Sequence, residues 1–160
     1  MIYYTGDIHG QKYDIVRFCN KFNLTKDDTV VILGDVGANY YGNDRDKDLK
    51  DAFSKLKPTI LCIHGNHEMR PATLPTYMQK KWNGGTVWFE ETYPNLLFAK
   101  DGGIFTIEGI HHIVIGGAYS VDKYYRLSRG YAWFENEQPS DEIKRYVEQQ
   151  LKSNKVDIVL

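Results

Sequence analysis

Three turns rich in glycine, aspartate and histidine each close a run of β-forming residues within the first 68 positions. They are Gly6-Asp7-Ile8-His9-Gly10 after Ile2 to Thr5, Gly34-Asp35-Val36-Gly37 after Thr29 to Leu33, and Gly65-Asn66-His67-Glu68 after Thr59 to Ile63. Asp7 and Asp35 lie 28 residues apart (35 minus 7), and Asp35 and Asn66 lie 31 apart (66 minus 35). Each gap accommodates one strand-helix-strand crossover. Parallel strands joined in this way deliver all three turns to one carboxyl edge of a sheet, where open α/β proteins assemble their ligand sites. The spacing therefore predicts an α/β fold class and a place where polar side chains converge.

The segments between the turns carry the matching helical signal. Tyr13, Val16 and Cys19 recur at helical spacing within Lys12 to Phe22, and Leu49, Ala52, Phe53 and Leu56 do so within Asp46 to Leu56, which Pro58 closes. The first 68 residues thus read β-α-β-α-β, with Tyr40 to Arg45 as a polar loop able to overhang the second turn. Beyond about residue 85 the pattern changes to short β-runs at Thr86 to Phe89, Leu96 to Ala99, Ile104 to Ile107 and His112 to Ile115. Brief turns such as Asp101-Gly102-Gly103 and Glu108-Gly109 separate them, which favours antiparallel neighbours. Lys123 to Arg129 reads as a short helix. A longer one opens at Ser140, a capping residue followed by Asp141 and Glu142, with Ile143, Val147 and Leu151 along one face. Val156 to Leu160 has the pattern of a further buried strand, whose free edge is a candidate contact for a homodimer.

A chain of 160 residues with 42% hydrophobic and 14% aromatic content suits one domain over residues 1–160 with a proper core. Twenty basic residues against 21 acidic ones give a net charge of -1 and no electrostatic reason to expect nucleic acid or an anionic membrane as the main partner. No apolar stretch has transmembrane length, and no basic-then-apolar segment stands at the N-terminus, so a cytoplasmic location is expected. Cys19 and Cys62 lack neighbours at ligand spacing and read as reduced core residues.

Asp7 and His9 in one turn can aim two donor atoms at one point, and Asp35 can bridge two cations through its two oxygens. Carboxylate oxygen mixed with imidazole suits Mn, Fe or Zn, and the Asn66 amide oxygen adds a neutral donor. Asp7 and Asp35 held about 4 Å apart without a cation would repel by roughly 4 kcal/mol at an effective dielectric near 20. Two metals about 3.5 to 4 Å apart would generate a hydroxide nucleophile for in-line displacement at phosphorus. His67, beside Asn66, is placed to give a proton to the leaving alkoxide, and Glu68 to orient the loop.

These blocks resemble those of the calcineurin-like metallophosphoesterase family, in its smaller bacterial or phage-like branch. The resemblance implies a four-layer α/β/β/α sandwich and hydrolysis of a phosphomonoester or phosphodiester on a small phosphorylated substrate by a metal-bound hydroxide. By position, Asp7, His9 and Asp35 match the ligands of one metal, Asp35 and Asn66 those of the other, and His67 the catalytic histidine. Two departures stand out. Where the protein serine/threonine phosphatase branch has an aspartate and an arginine after its second block, this chain has Ala38 and Asn39. The family's later histidine and its Gly-His-x-His block are also missing, so the fold is expected to be C-terminally incomplete, with partial metal occupancy. That absence keeps open a second reading, a catalytically silent binding or regulatory protein. His111 and His112 alternate across a strand and do not replace the missing pair, and His64 reads as a packed strand-end histidine. Arg70, Lys123 and Arg126 are candidate phosphate contacts, with surface charge as the alternative. Tyr119, Tyr124, Tyr125 and Tyr131 read as packing residues that could line the cleft.

Overall fold

Strand β2 (Thr29–Leu33) is buried on both faces because every residue in its middle is apolar. Val30 and Ile32 enter one core and Val31 the other, as a two-residue period requires. The same division holds in β3 (Thr59–Ile63), where Ile60 and Cys62 oppose Leu61 and Ile63. It holds again in β6 (Leu96–Ala99), where Leu96 and Phe98 oppose Leu97 and Ala99. These three strands form the middle of the molecule, a computed structural model that describes residues 1–160.

With β1 (Ile2–Thr5), β4 (Met78–Trp82) and β5 (Gly85–Phe89) they make a six-stranded sheet in the order β1-β2-β3-β6-β5-β4. The pairs β1/β2, β2/β3 and β3/β6 are parallel, and β5 pairs antiparallel with both β6 and β4. Helix α1 (Lys12–Lys21) links β1 to β2, and α2 (Asp44–Ser54) links β2 to β3. Ile15, Cys19, Leu49 and Phe53 of these helices join one face of the sheet in the larger core. The second core lies on the opposite face. There Val31, Leu61, Val87 and Leu97 meet Phe105 and Ile107 from a three-stranded sheet, β7 (Ile104–Ile107), β8 (Ile110–Ile113) and β9 (Ile158–Val159), together with Val114 just past β8. The architecture is mixed α/β, with helices covering one face of the larger sheet and the smaller sheet covering the other. Two further helices, α3 (Lys123–Ser128) and α4 (Asp141–Ser153), follow β8. No helix is long and apolar enough to cross a membrane.

Several boundaries differ from the sequence reading. Strand β4 was not expected, because Met78-Gln79-Lys80-Lys81-Trp82 does not alternate clearly; it is an edge strand, with Lys81 exposed and Lys80 laid over the Phe89 ring. The signal for it lay in Asn83-Gly84, both at positive φ, the two-residue turn that matches the twist of a hairpin. Glu108-Gly109 forms the same kind of turn, which puts Ile110 inside β8 and leaves Val114 and Ile115 beyond it. Helix α2 starts at Asp44, two residues early, because Asn43 caps it by accepting from the Arg45 amide at 3.0 Å. The final strand is short, and just past it the Leu160 amide donates to the Ile113 carbonyl of β8.

His64 is buried as expected of a strand-end histidine, and burial, reinforced by the Arg70 guanidinium, lowers its pKa to about 3. His111 pairs with Asp157 at 2.9 Å, while His112 points inward to the Tyr4 hydroxyl and the Phe105 carbonyl. The two histidines therefore face opposite sides of β8. Cys19 and Cys62 are free and buried.

Candidate metal centre

The three turns leave the carboxyl ends of adjacent parallel strands, and backbone hydrogen bonds tie them together. The Asp35 carbonyl accepts from the His9 amide at 2.8 Å, and the Val36 carbonyl accepts from the Gly10 amide at 3.0 Å. A Cβ on Gly37 would stand 2.6 Å from the Gly10 nitrogen, so this contact requires glycine. His9 and Asp35 both take the left-handed backbone region, with φ of 45° and 42°. Such conformations cost of order 1–3 kcal/mol each in residues other than glycine and concentrate at functional sites.

The third turn folds over the second. The Asp35 Oδ1 accepts from the His67 amide at 2.8 Å, and its Oδ2 lies 3.4 Å from His67 Nδ1. Donor atoms of His9, Asp35 and His67 all lie within 4.8 Å of one another. Asp7 joins from the side, its Oδ2 2.8 Å from His9 Nε2. Asn66 lines a concavity with Asp7 and Asp35, and its Nδ2 donates to Ser120 Oγ at 2.8 Å, which leaves the amide oxygen unclaimed. Beneath the turns Glu68 is fully buried and accepts from the Gly65 amide at 3.3 Å. Burial pushes its carboxyl up to about 8 against the pull of that amide.

Two concavities meet at Asp35. One, of about 520 Å³, is lined by His9, Asp35, His67, Tyr40, Tyr41, Arg45 and Arg126 among others. Its size is that of a small-molecule site, and the polar loop Tyr40 to Arg45 overhangs it. The other, of about 380 Å³, holds Asp7, Asp35, Asn66 and Leu160. One carboxylate and two imidazoles converging in this way fit a divalent ion of the Mn, Fe or Zn type.

A family model for calcineurin-like phosphoesterases matches residues 1–160. The chain belongs to the calcineurin-like phosphoesterase family. No curated protein and no solved structure matches it. Membership explains why a calcineurin-like chain brings these acidic and histidine turns to one edge, since the family typically hydrolyses phosphoesters and binds divalent metals.

The departures at positions 38 and 39 also find a structural reason. Ala38 and Asn39 are buried in the core, and Asn39 Oδ1 accepts from the Tyr77 hydroxyl at 2.8 Å, so neither residue reaches the cleft. Of the three cations considered as phosphate contacts, Arg70 is engaged by Asp101, the Asn136 carbonyl and the Gly116 carbonyl, and Lys123 sits 3.7 Å over the Trp133 ring. Arg126 alone of the three lines the cleft. Tyr119, Tyr124, Tyr125 and Tyr131 are exposed, not packed in the core. Ser120 and Asp122 were not singled out in the sequence, because nothing local marks them.

Proposed function

We propose that the chain is a metal-dependent phosphoesterase acting on a small phosphomonoester or phosphodiester. The observation that carries this reading is the convergence of His9, Asp35 and His67 donors within 4.8 Å at the floor of a cleft of substrate size. Asp7, His9 and Asp35 would hold one divalent ion, and Asp35 with the Asn66 amide oxygen a second. Bound ions supply Lewis-acid stabilisation of the charge that develops on phosphoryl oxygens. The remaining work falls to the protein. The Ser120 hydroxyl fixes the Asn66 amide with its oxygen free. The His67 amide fixes one oxygen of Asp35, so that its other oxygen stays beside the His67 imidazole. As water adds to phosphorus and the bond to the leaving oxygen breaks, His67 gives that oxygen its proton.

The test uses the full chain with Mn added and two chromogenic substrates, p-nitrophenyl phosphate and bis-p-nitrophenyl phosphate. Turnover of at least one is expected, lost by about 100-fold or more in His67→Gln, in line with removal of a general acid. A chain shown by calorimetry to be saturated with Mn that hydrolyses neither ester would refute the reading.

A further inference from the structure

Asn66 is reached by a chain of hydrogen bonds that starts far from the three turns in sequence. Its first link is the segment Gly116 to Ser120, which follows β8 and is pinned at its start from three sides. The Gly117 amide donates to the His64 carbonyl at 2.7 Å, the Gly116 amide to Asp101 Oδ1 at 2.7 Å, and Arg70 Nη2 to the Gly116 carbonyl at 3.2 Å. At its other end stands Ser120, 2% exposed, whose Oγ takes the Asn66 amide group.

The second link is Glu137, between α3 and α4. It is 3% exposed, and its carboxylate is divided between two donors: Oε1 accepts from the Ser120 amide at 3.2 Å, and Oε2 from Trp133 Nε1 at 2.8 Å. Both donors are neutral, so this acid is buried without the cationic partner that buried carboxylates ordinarily have. A glutamine there would carry one acceptor oxygen and could serve only one of the two. The segments also touch through the backbone. Gly117, at φ 93°, leaves no room for a side chain, since a Cβ would stand 2.1 Å from the Glu137 carbonyl oxygen.

We propose that Glu137 is a positioning residue for the second metal position, acting through Ser120 on the Asn66 amide. The inference rests on the phosphoesterase reading for the two metal positions and on residues 116–137 for the positioning. Of the groups assigned to the second position, Asp35 is already held by the His67 amide, whereas a terminal amide turns readily about its last torsion. Ser120 removes that freedom by claiming Nδ2, and Glu137 fixes the backbone from which the hydroxyl is presented. A neutral oxygen brings no charge to attract an ion. The second position therefore depends on how that oxygen is aimed.

The test reads metal binding, not turnover. Calorimetric titration of the full chain with Mn is expected to resolve two events. Glu137→Ala and Ser120→Ala should each weaken the second by about tenfold or more and leave the first within about twofold, the effect of removing an outer partner of a metal ligand. Ser120→Thr keeps the hydroxyl and should restore the second event. The double variant should lose no more than the larger single loss, because both residues act on one amide. Glu137→Gln stands in if Glu137→Ala does not fold, and should weaken the second event by about threefold or more, as loss of one hydrogen bond predicts. Val87→Ala, a cavity in the second core, should alter neither event. Unchanged second affinity in a folded Glu137 variant, equal weakening of both events, a second event weakened as much by Val87→Ala, or a wild-type chain that binds a single Mn would overturn the proposal. Selective loss of the second event, where the Mn-saturated wild type hydrolyses neither ester, would support the role of Glu137 and refute the hydrolase reading instead.

Discussion

Gly65 exists in the space that Asp35 needs. A Cβ built on Gly65 would overlap the Asp35 carboxylate and its backbone nitrogen, so the third turn can cross the second only where it has no side chain. Gly65→Ala is therefore expected to push Asp35 away from His67 and to destabilise the fold by about 1–3 kcal/mol, the usual range for overpacking. Urea denaturation measures the second effect, and calorimetric Mn titration should show weakened binding. Unchanged Mn affinity in a folded Gly65→Ala chain would contradict this account of the crossing.

The histidines of the two sheets should separate cleanly by metal affinity. His9 lies among the converged donors, whereas His111 is engaged by Asp157 on the smaller sheet. We expect His9→Ala to weaken Mn binding by about tenfold or more and His111→Ala to change it by less than about twofold. Equal losses in both variants would show that the observed binding occurs elsewhere.

Tyr77→Phe removes the hydroxyl that satisfies Asn39 Oδ1 inside the larger core. Leaving that buried oxygen unpaired should cost about 1–3 kcal/mol, read as a lower urea midpoint with little change in the denaturant slope. A midpoint equal to that of the wild type would mean that water reaches Asn39.

Acid should loosen the junction of β8 and β9. The His111 amide and imidazole hold the Asp157 carboxyl down to about 2 from its ordinary 3.8. A depressed carboxyl contributes stability that is fully present above its ordinary pKa and is lost as pH falls through the folded value. Between about pH 4 and pH 2 the wild type should thus lose more stability than Asp157→Asn. Urea midpoints at about pH 5 and about pH 2.5 for both chains measure the difference, and identical drops would exclude a contribution from this pair.

The strands and helices that were legible in sequence are those whose environment is uniform along the chain. Val30, Val31 and Ile32 announce a strand because both faces of β2 are covered, and the β-α-β-α-β reading of the first 68 residues follows from such runs. Strand β4 was hidden because neither face of this edge strand is deeply buried, and its lysines carry no periodic signal. At the site, Asp7, His9, Asp35, Asn66 and His67 were visible because each lies within a few residues of a strand end. Asp122, whose carboxylate lies 3.7 Å from His67 Nε2, was not, being 55 residues beyond it (122 minus 67), just before a helix whose sequence has no bearing on the turns until the chain has folded. The same holds for the choice among Arg70, Lys123 and Arg126, which only the placement of their partners decides.

The hydrogen bonds from the first turn to the carbonyls of Asp35 and Val36 couple the opening of the first turn to the second. Opening Gly6 to Gly10 exposes those carbonyls and removes the neighbour against which Gly37 is packed. The amide protons of His9 and Gly10 should then exchange with solvent together, at one common opening free energy, and an ion held between the turns would slow both by the same factor.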